Sequence, residues 1–292
     1  MAQRRYDGPS VIYLGAGAVL TAGHVGMGEI LLEDEIFAPD FVWRHTLLNE
    51  NGTGADAMLF RLQDDVEWPD LPLVPIATEP PLPGEDILLI GFGRKRAKVI
   101  EWEEAGHVRF GFEWTAKGSK RWGTNQVTAS RQKIVQTDTT TESFRFRFDV
   151  PRSFADTAFE AQASVGDSGG AVFVLREEEW LLAGMMISVS TEPARPADTT
   201  IYGDTTFAAD LSYYREEIMR WARPACSNEL DDDGDEKIDF PIDSGCHSAI
   251  GRDERDTPST PIGIGTAWAI GASGLGLVLV TTIVAIRRRE PR

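Results

Sequence analysis

Cysteine and histidine are the scarce residues of this chain. Its two cysteines, Cys226 and Cys246, leave the first 225 of 292 residues without one, which excludes a disulfide framework there and requires a core that holds by packing alone. Of the four histidines, His45, His107 and His247 have no metal-ligand spacing with one another, so they carry no metal centre. Positive charge is short too: 29 Lys and Arg stand against 46 Asp and Glu, a formal charge of −17. No nucleic-acid partner is expected, and the basic runs Arg94-Lys95-Arg96-Ala97-Lys98 and Lys117-Gly118-Ser119-Lys120-Arg121 read as solvated loops. Sustained helical periodicity is rare before Pro224. Short runs such as Val11-Ile12-Tyr13-Leu14 and Ile87-Leu88-Leu89-Ile90 recur between Gly, Pro and Asp, and Phe144-Arg145-Phe146-Arg147-Phe148 alternates with period two. This predicts an all-β chain.

The most informative stretch present is Gly166-Asp167-Ser168-Gly169-Gly170, ahead of the strand-like run Ala171-Val172-Phe173-Val174-Leu175. Glycines let the chain turn sharply and bring backbone N–H groups near a reacting carbonyl, although a hairpin turn with an incidental serine has the same composition. A serine nucleophile needs a base, and the base needs a carboxylate to fix its tautomer. His24 closes Val19-Leu20-Thr21-Ala22-Gly23-His24, where an apolar strand breaks into small residues, and Asp56 opens the apolar run Asp56-Ala57-Met58-Leu59-Phe60-Arg61-Leu62. The chain order His24, Asp56, Ser168 is that of the chymotrypsin-type triad.

These motifs resemble those of the trypsin-like (chymotrypsin-fold) serine peptidases. Thr21-Ala22-Gly23-His24 is similar to the family's Thr-Ala-Ala-His, Asp56-Ala57-Met58-Leu59 to its Asp-Ile-Ala-Leu, and residues 166–170 to its nucleophile motif. Leu89-Ile90-Gly91-Phe92-Gly93 resembles the Gly-Trp-Gly strand end that starts the second barrel, and residues 211–218 lie where the family has its closing helix. The resemblance implies two six-stranded antiparallel β-barrels with a C-terminal helix over residues 1–223, with the triad in the cleft between the barrels. It implies Ser168 as nucleophile, His24 as base, Asp56 as its orienting acid, and the N–H groups of Gly166 and Ser168 as the oxyanion hole. Partners would be protein or peptide substrates, with no cofactor for catalysis. Gln162 falls where trypsins carry an acidic pocket residue, so a neutral or small side chain is expected beside the scissile bond. The absence of cysteines before residue 226 suits a bacterial type. In the family a freed N-terminus pairs with the aspartate before the serine, here Asp167. The chain instead opens Met-Ala-Gln-Arg-Arg, 23 residues before His24, so a first strand and an export signal are expected upstream of Met1. The alternative from another class is a catalytically silent, peptidase-like surface module for binding or adhesion.

Residues 224–250 change character. From 226 to 261 there are eleven acidic and three basic residues, a net charge of −8. Asp231, Asp233, Asp235 and Asp239 can bring several hard oxygens onto calcium, and a Cys226–Cys246 disulfide would close the loop in an oxidising compartment. The segment resembles Cys-bracketed, Asp-rich stretches near the C-termini of Gram-negative surface proteins; a solvated acidic spacer is the other reading. Residues 251–261 read as a flexible linker. Residues 262–286 are uncharged and long enough to span a bilayer, followed by Arg287-Arg288-Arg289 in a tail of 287–292. The positive-inside rule then places the tail in the cytoplasm and the peptidase-like domain on the periplasmic or extracellular side, unless a sorting enzyme removes the tail.

Overall fold

The computed structural model describes residues 2–4 (backbone), 8–64, 68–69, 71–104, 106–150, 157–190, 195–249 and 251–256. Residues 1–256 form one compact unit. The membrane span expected at 262–286, the tail at 287–292 and linker residues 257–261 lie outside the described residues. Among the described residues no helix is long and apolar enough to cross a membrane.

The chain is mostly β, as its period-two runs require. Strands β1 (Ala2–Arg4), β2 (Ser10–Gly15), β3 (Ala18–Thr21), β4 (Ile30–Leu32), β5 (Glu35–Phe37), β6 (Pro39–Leu48) and β7 (Gly54–Leu62) form one antiparallel sheet in the order β5-β4-β1-β2-β3-β7-β6. Strands β8 (Asp86–Gly91), β11 (Arg121–Val135), β12 (Thr140–Arg147), β13 (Ala171–Arg176), β14 (Glu179–Ser190) and β16 (Thr205–Asp210) close into a six-stranded barrel. Strands β9 (Arg94–Glu104), β10 (His107–Gly118) and β15 (Thr199–Thr200) make a separate three-stranded sheet.

Two sequence expectations are corrected. Among the described residues, only the second half closes as a six-stranded barrel; the first is seven strands in open order. The extra strand comes from the β4–β5 hairpin, which pairs Leu32 with Glu35 around Glu33 and Asp34, both in the left-handed region, as a two-residue hairpin turn demands. The basic runs at 94–98 and 117–121 lie largely in strands β9, β10 and β11 rather than in loops. Arg96 lies over the Phe112 ring at 4.6 Å from its centroid, so these charges flank an exposed ribbon.

Packing follows strand parity. On β7, Ala55, Ala57 and Leu59 face the core between the two halves, while Met58, Phe60 and Leu62 face the core of the first sheet with Val19, Ile30 and Phe37. Phe144 and Phe146 fill the closed barrel with Ile87, Leu89, Val172 and Val174, the wet/dry alternation expected from the sequence. Helix α1 (Arg215–Ala222) buries Ile218, Met219 and Ala222 on one face. It starts four residues later than expected because Asp210 accepts Ser212 N–H at 3.0 Å and its hydroxyl at 2.6 Å, holding residues 210–212 in a turn. It ends where Arg223 turns extended ahead of Pro224. His45, which has no role in the sequence reading, ties the helix to β6 through Glu217 at 2.5 Å.

Candidate active site

His24 sits just past the end of β3, in a tight turn closed by Val25 N–H on Ala22 O at 3.0 Å. Asp56 is the third residue of β7, 2% exposed, and its own N–H donates to Thr141 Oγ1 at 2.9 Å. Its Oδ1 accepts the His24 backbone N–H at 2.8 Å and its Oδ2 faces His24 Nδ1 at 2.7 Å. Two contacts from one carboxylate fix both the position and the orientation of the ring. They also fix the tautomer: Nδ1 carries the proton, and Nε2 is left with its lone pair outward. The Asp56 hydrogen bond holds the His24 imidazole above its ordinary value of 6.5, with burial opposing it. Gly23 suits this arrangement, since a Cβ there would stand 3.1 Å from Asp56 Oδ1.

The glycine-rich serine turn is built across the two halves of the molecule. Gly169 adopts φ +82, and a Cβ on it would lie 2.1 Å from Ser10 O and 2.7 Å from Thr21 Oγ1. Residues 166–170 are thereby seated against β2 and the strand that leads to His24. Ser168 Oγ makes no hydrogen bond to His24, a contact that in many such sites tightens only with substrate present.

The peptide groups around Ser168 are oriented with care. Val165 O accepts Arg94 N–H at 3.2 Å, and Asp167 O accepts Gly170 N–H at 2.7 Å. In a trans peptide the N–H points opposite to the carbonyl, so the N–H groups of Gly166 and Ser168 point away from those partners. Among the described residues neither has an acceptor. Between them, Asp167 N–H turns inward to Ser164 O at 3.0 Å, and Gly166 O is held by Ser10 N–H at 3.0 Å and Ser10 Oγ at 2.9 Å. Gly166 has φ +100, a conformation that a side chain would strain.

Asp167 holds this geometry from beneath. Its Oδ1 accepts Gly93 N–H at 2.7 Å, and its Oδ2 accepts Ser164 N–H and Ser164 Oγ, each at 2.9 Å. Burial pushes its carboxyl up, and these donors with the nearby Arg121 charge pull it back. The aspartate thus has partners within the chain. The glycines at 91 and 93 have the same cause: a Cβ at either would fall within 2.0 Å of an Asp167 oxygen. Replacing Gly93 by alanine is therefore expected to misplace the 166–168 peptides. If these serve catalysis, kcat falls by about 10²- to 10³-fold, as for loss of an oxyanion donor, with KM changed far less. An unchanged kcat in folded Gly93→Ala protein would contradict this role.

A cavity of about 360 Å³ opens beside Ser168, lined also by Gln162, Ile187, Ser188, Thr199 and Arg195. Gln162 thus shares a cavity with the serine, and its Nε2 donates to Thr200 Oγ1 at 2.6 Å. Thr200 Oγ1 in turn reaches the buried Asp204 at 2.9 Å, which pairs with the Arg195 guanidinium. Asp198, also in the lining, pairs with Arg94 at 2.9 Å.

In the C-terminal segment Cys226 and Cys246 are disulfide-bonded, as the sequence predicts. Asp231, Asp233 and Asp235 gather with carboxylate oxygens within 4.8 Å of one another. Asp239 is not among them: its two oxygens accept Asn228 N–H at 2.9 Å and Glu229 N–H at 2.8 Å. Ser10, Ser164 and Thr141 support the site without any signal in the sequence, being single hydroxyl residues whose partners lie elsewhere in the chain or in a turn.

A seven-stranded sheet and a six-stranded barrel meeting over a shared core, with one short α-helix among the described residues, a His–Asp pair and a glycine-rich serine turn at the junction, match a chymotrypsin-like β fold. No family model matches the chain, and no curated protein does. Solved structures similar to it include the Rv3671c protease from M. tuberculosis in its active form, at 15% identity, covering 71% of this chain and 70% of that one, with a TM-score of 0.38. The MamO protease domain from Magnetospirillum magneticum matches at 15% identity over 70% and 84%, TM-score 0.41. A mutant of human heparin binding protein matches at 14% over 74% and 88%, TM-score 0.48.

Proposed function

We propose that this chain is a serine endopeptidase. The observation that carries the reading is the buried Asp56 carboxylate bonded to both the ring and the backbone N–H of His24, which leaves Nε2 as a free proton acceptor. Ser168 attacks the peptide carbonyl, His24 takes its proton and returns it to the leaving amine, and Asp56 stabilises the imidazolium between the two steps. The N–H groups of Gly166 and Ser168 receive the oxyanion, and their anchored carbonyls mean that they need no rearrangement when charge develops. Water then hydrolyses the acyl-enzyme by the same proton path in reverse.

The cavity beside Ser168 supports a neutral side chain next to the scissile bond. Its charged lining residues, Arg195 and Asp198, already have counter-ions, and Gln162 gives its Nε2 to Thr200 while its neutral Oε1 has no partner. A lysine or arginine entering it would be desolvated without a free carboxylate to meet it. A fluorogenic peptide library is expected to show cleavage after neutral residues at least about tenfold above cleavage after Arg or Lys, the discrimination that a few contacts supply. A library left intact by folded protein counts against the peptidase reading, and dominant cleavage after Arg or Lys against the pocket assignment.

The tether at 262–286, with the domain on the periplasmic or extracellular face, belongs to the same proposal. It is supported by the uncharged 25-residue run, the following Arg287-Arg288-Arg289 and the use of a disulfide.

A further inference from the structure

The exposed aspartates Asp231, Asp233 and Asp235 have a counter-ion within the loop. Asp231 accepts Gly234 N–H at 2.6 Å and Glu236 N–H at 3.0 Å, one on each oxygen. Asp235 accepts Lys237 N–H at 2.8 Å and the Lys237 ammonium at 2.5 Å. The group carries its own cation in Lys237.

A second pair, buried beneath the same loop, has no cation bonded to it, and Lys237 acts on Asp243 only from a distance. Asp243 is 2% exposed and Glu254 is 1% exposed, and with the Cys246 sulfur their ligand atoms lie within 4.8 Å of one another. Glu254 accepts Asp232 N–H at 2.7 Å and Asp239 N–H at 3.2 Å, and Asp243 Oδ1 accepts Gly245 N–H at 2.6 Å. Asp243 Oδ2 is buried with no hydrogen-bond partner. Among the described residues no lysine, arginine or histidine pairs with either carboxylate. The sulfur cannot help, because in a disulfide it has no proton to give.

Two carboxylates this close and this buried repel each other and are each penalised by desolvation. A proton shared between them would join them by a hydrogen bond, and Asp243 Oδ2 makes none. A cation meets both requirements. We propose that Asp243 and Glu254, not the exposed aspartates, form the core of a calcium site that clamps residues 251–256 onto the disulfide loop. The donors are hard oxygens and the only sulfur is not a thiolate, which disfavours softer metals. An irregular loop suits calcium, which accepts variable geometry, better than magnesium. The backbones already touch here: a Cβ on Gly245 would lie 1.5 Å from Glu254 O. Glu254 is therefore buried against the disulfide loop in the segment where the sequence suggested the start of a linker, while Arg252, Asp253, Arg255 and Asp256 stay exposed.

Calorimetric titration of the full chain, stripped of divalent ions and then given calcium chloride, tests the site independently of any catalysis. One saturable site is expected, with a dissociation constant of about 10⁻⁴ to 10⁻³ M, in the range of extracellular modules. Asp243→Asn and Glu254→Gln each keep the local shape and are expected to weaken binding by about tenfold or more, whereas Asp233→Asn stays within about threefold. Calcium should also protect residues 226–256 from proteolysis in the parent protein and in Asp233→Asn, and not in the other two. Circular dichroism shows whether each variant is folded. No saturable binding at ten-millimolar-order calcium, undiminished binding in both Asp243→Asn and Glu254→Gln, or loss in Asp233→Asn alone would each overturn the proposal.

Discussion

Ser168→Ala protein is expected to fold normally and to hydrolyse peptides about 10⁴-fold or more slowly than the parent, the scale seen when a triad nucleophile is removed. The loss should fall on kcat, because the cavity lined by Gln162, Ile187 and Arg195 stays intact and substrate can still bind. Residual hydrolysis above the uncatalysed rate is expected, since the N–H groups of Gly166 and Ser168 survive the substitution and still polarise the carbonyl. The serine is seated by Gly169 against Ser10 and Thr21, and alanine fits the same backbone. Turnover within tenfold of the parent would place the chemistry elsewhere.

Asp56→Asn is expected to lower kcat by a similar order, about 10⁴-fold, although it removes only one charge. The reason lies in the double contact. The His24 backbone N–H can only donate, so the asparagine must turn its carbonyl oxygen towards it and present its NH₂ to the ring. Nδ1 then has to accept, the ring proton moves to Nε2, and the base has no lone pair for Ser168. The pH profile follows with a definite sign. In the parent, the Asp56 hydrogen bond raises the His24 imidazole above 6.5, so activity rises with pH through a midpoint above that value and is lost as the ring protonates below it. In Asp56→Asn that support is gone while burial remains, so the midpoint moves down. A variant with near-parent turnover, or with an unmoved midpoint, is incompatible with Asp56 acting through His24.

How much of this was legible in the sequence depends on how far apart the partners lie. His24 and Ser168 stand in turns three residues from β3 and β13, and Asp56 heads the apolar run of β7; each of these changes of composition is a local signal. The period-two alternation at 144–148 likewise announced its strand. The supports of the serine turn were invisible for the opposite reason. Ser10 reaches Gly166 across 156 residues and Gly93 reaches Asp167 across 74; a lone serine heading a strand and a glycine between two strands look the same whether or not anything leans on them. The basic run at 94–98 was misread because β9 stands in an exposed ribbon, with both faces wet, so no alternation marks it as a strand. Glu254 looked like part of a spacer because charge density, the only signal available there, gives no clue that one carboxylate is buried and its neighbours are not.

The central claim is that Ser168 is a nucleophile activated by His24. Mass spectrometric mapping of the intact chain after reaction with a fluorophosphonate probe tests it most directly. The account predicts a single adduct on Ser168, formed in the parent protein and lost both in His24→Ala and after acidification below the raised His24 midpoint. Folded protein that takes no adduct, or an adduct on Ser168 that persists unchanged in His24→Ala, would contradict it.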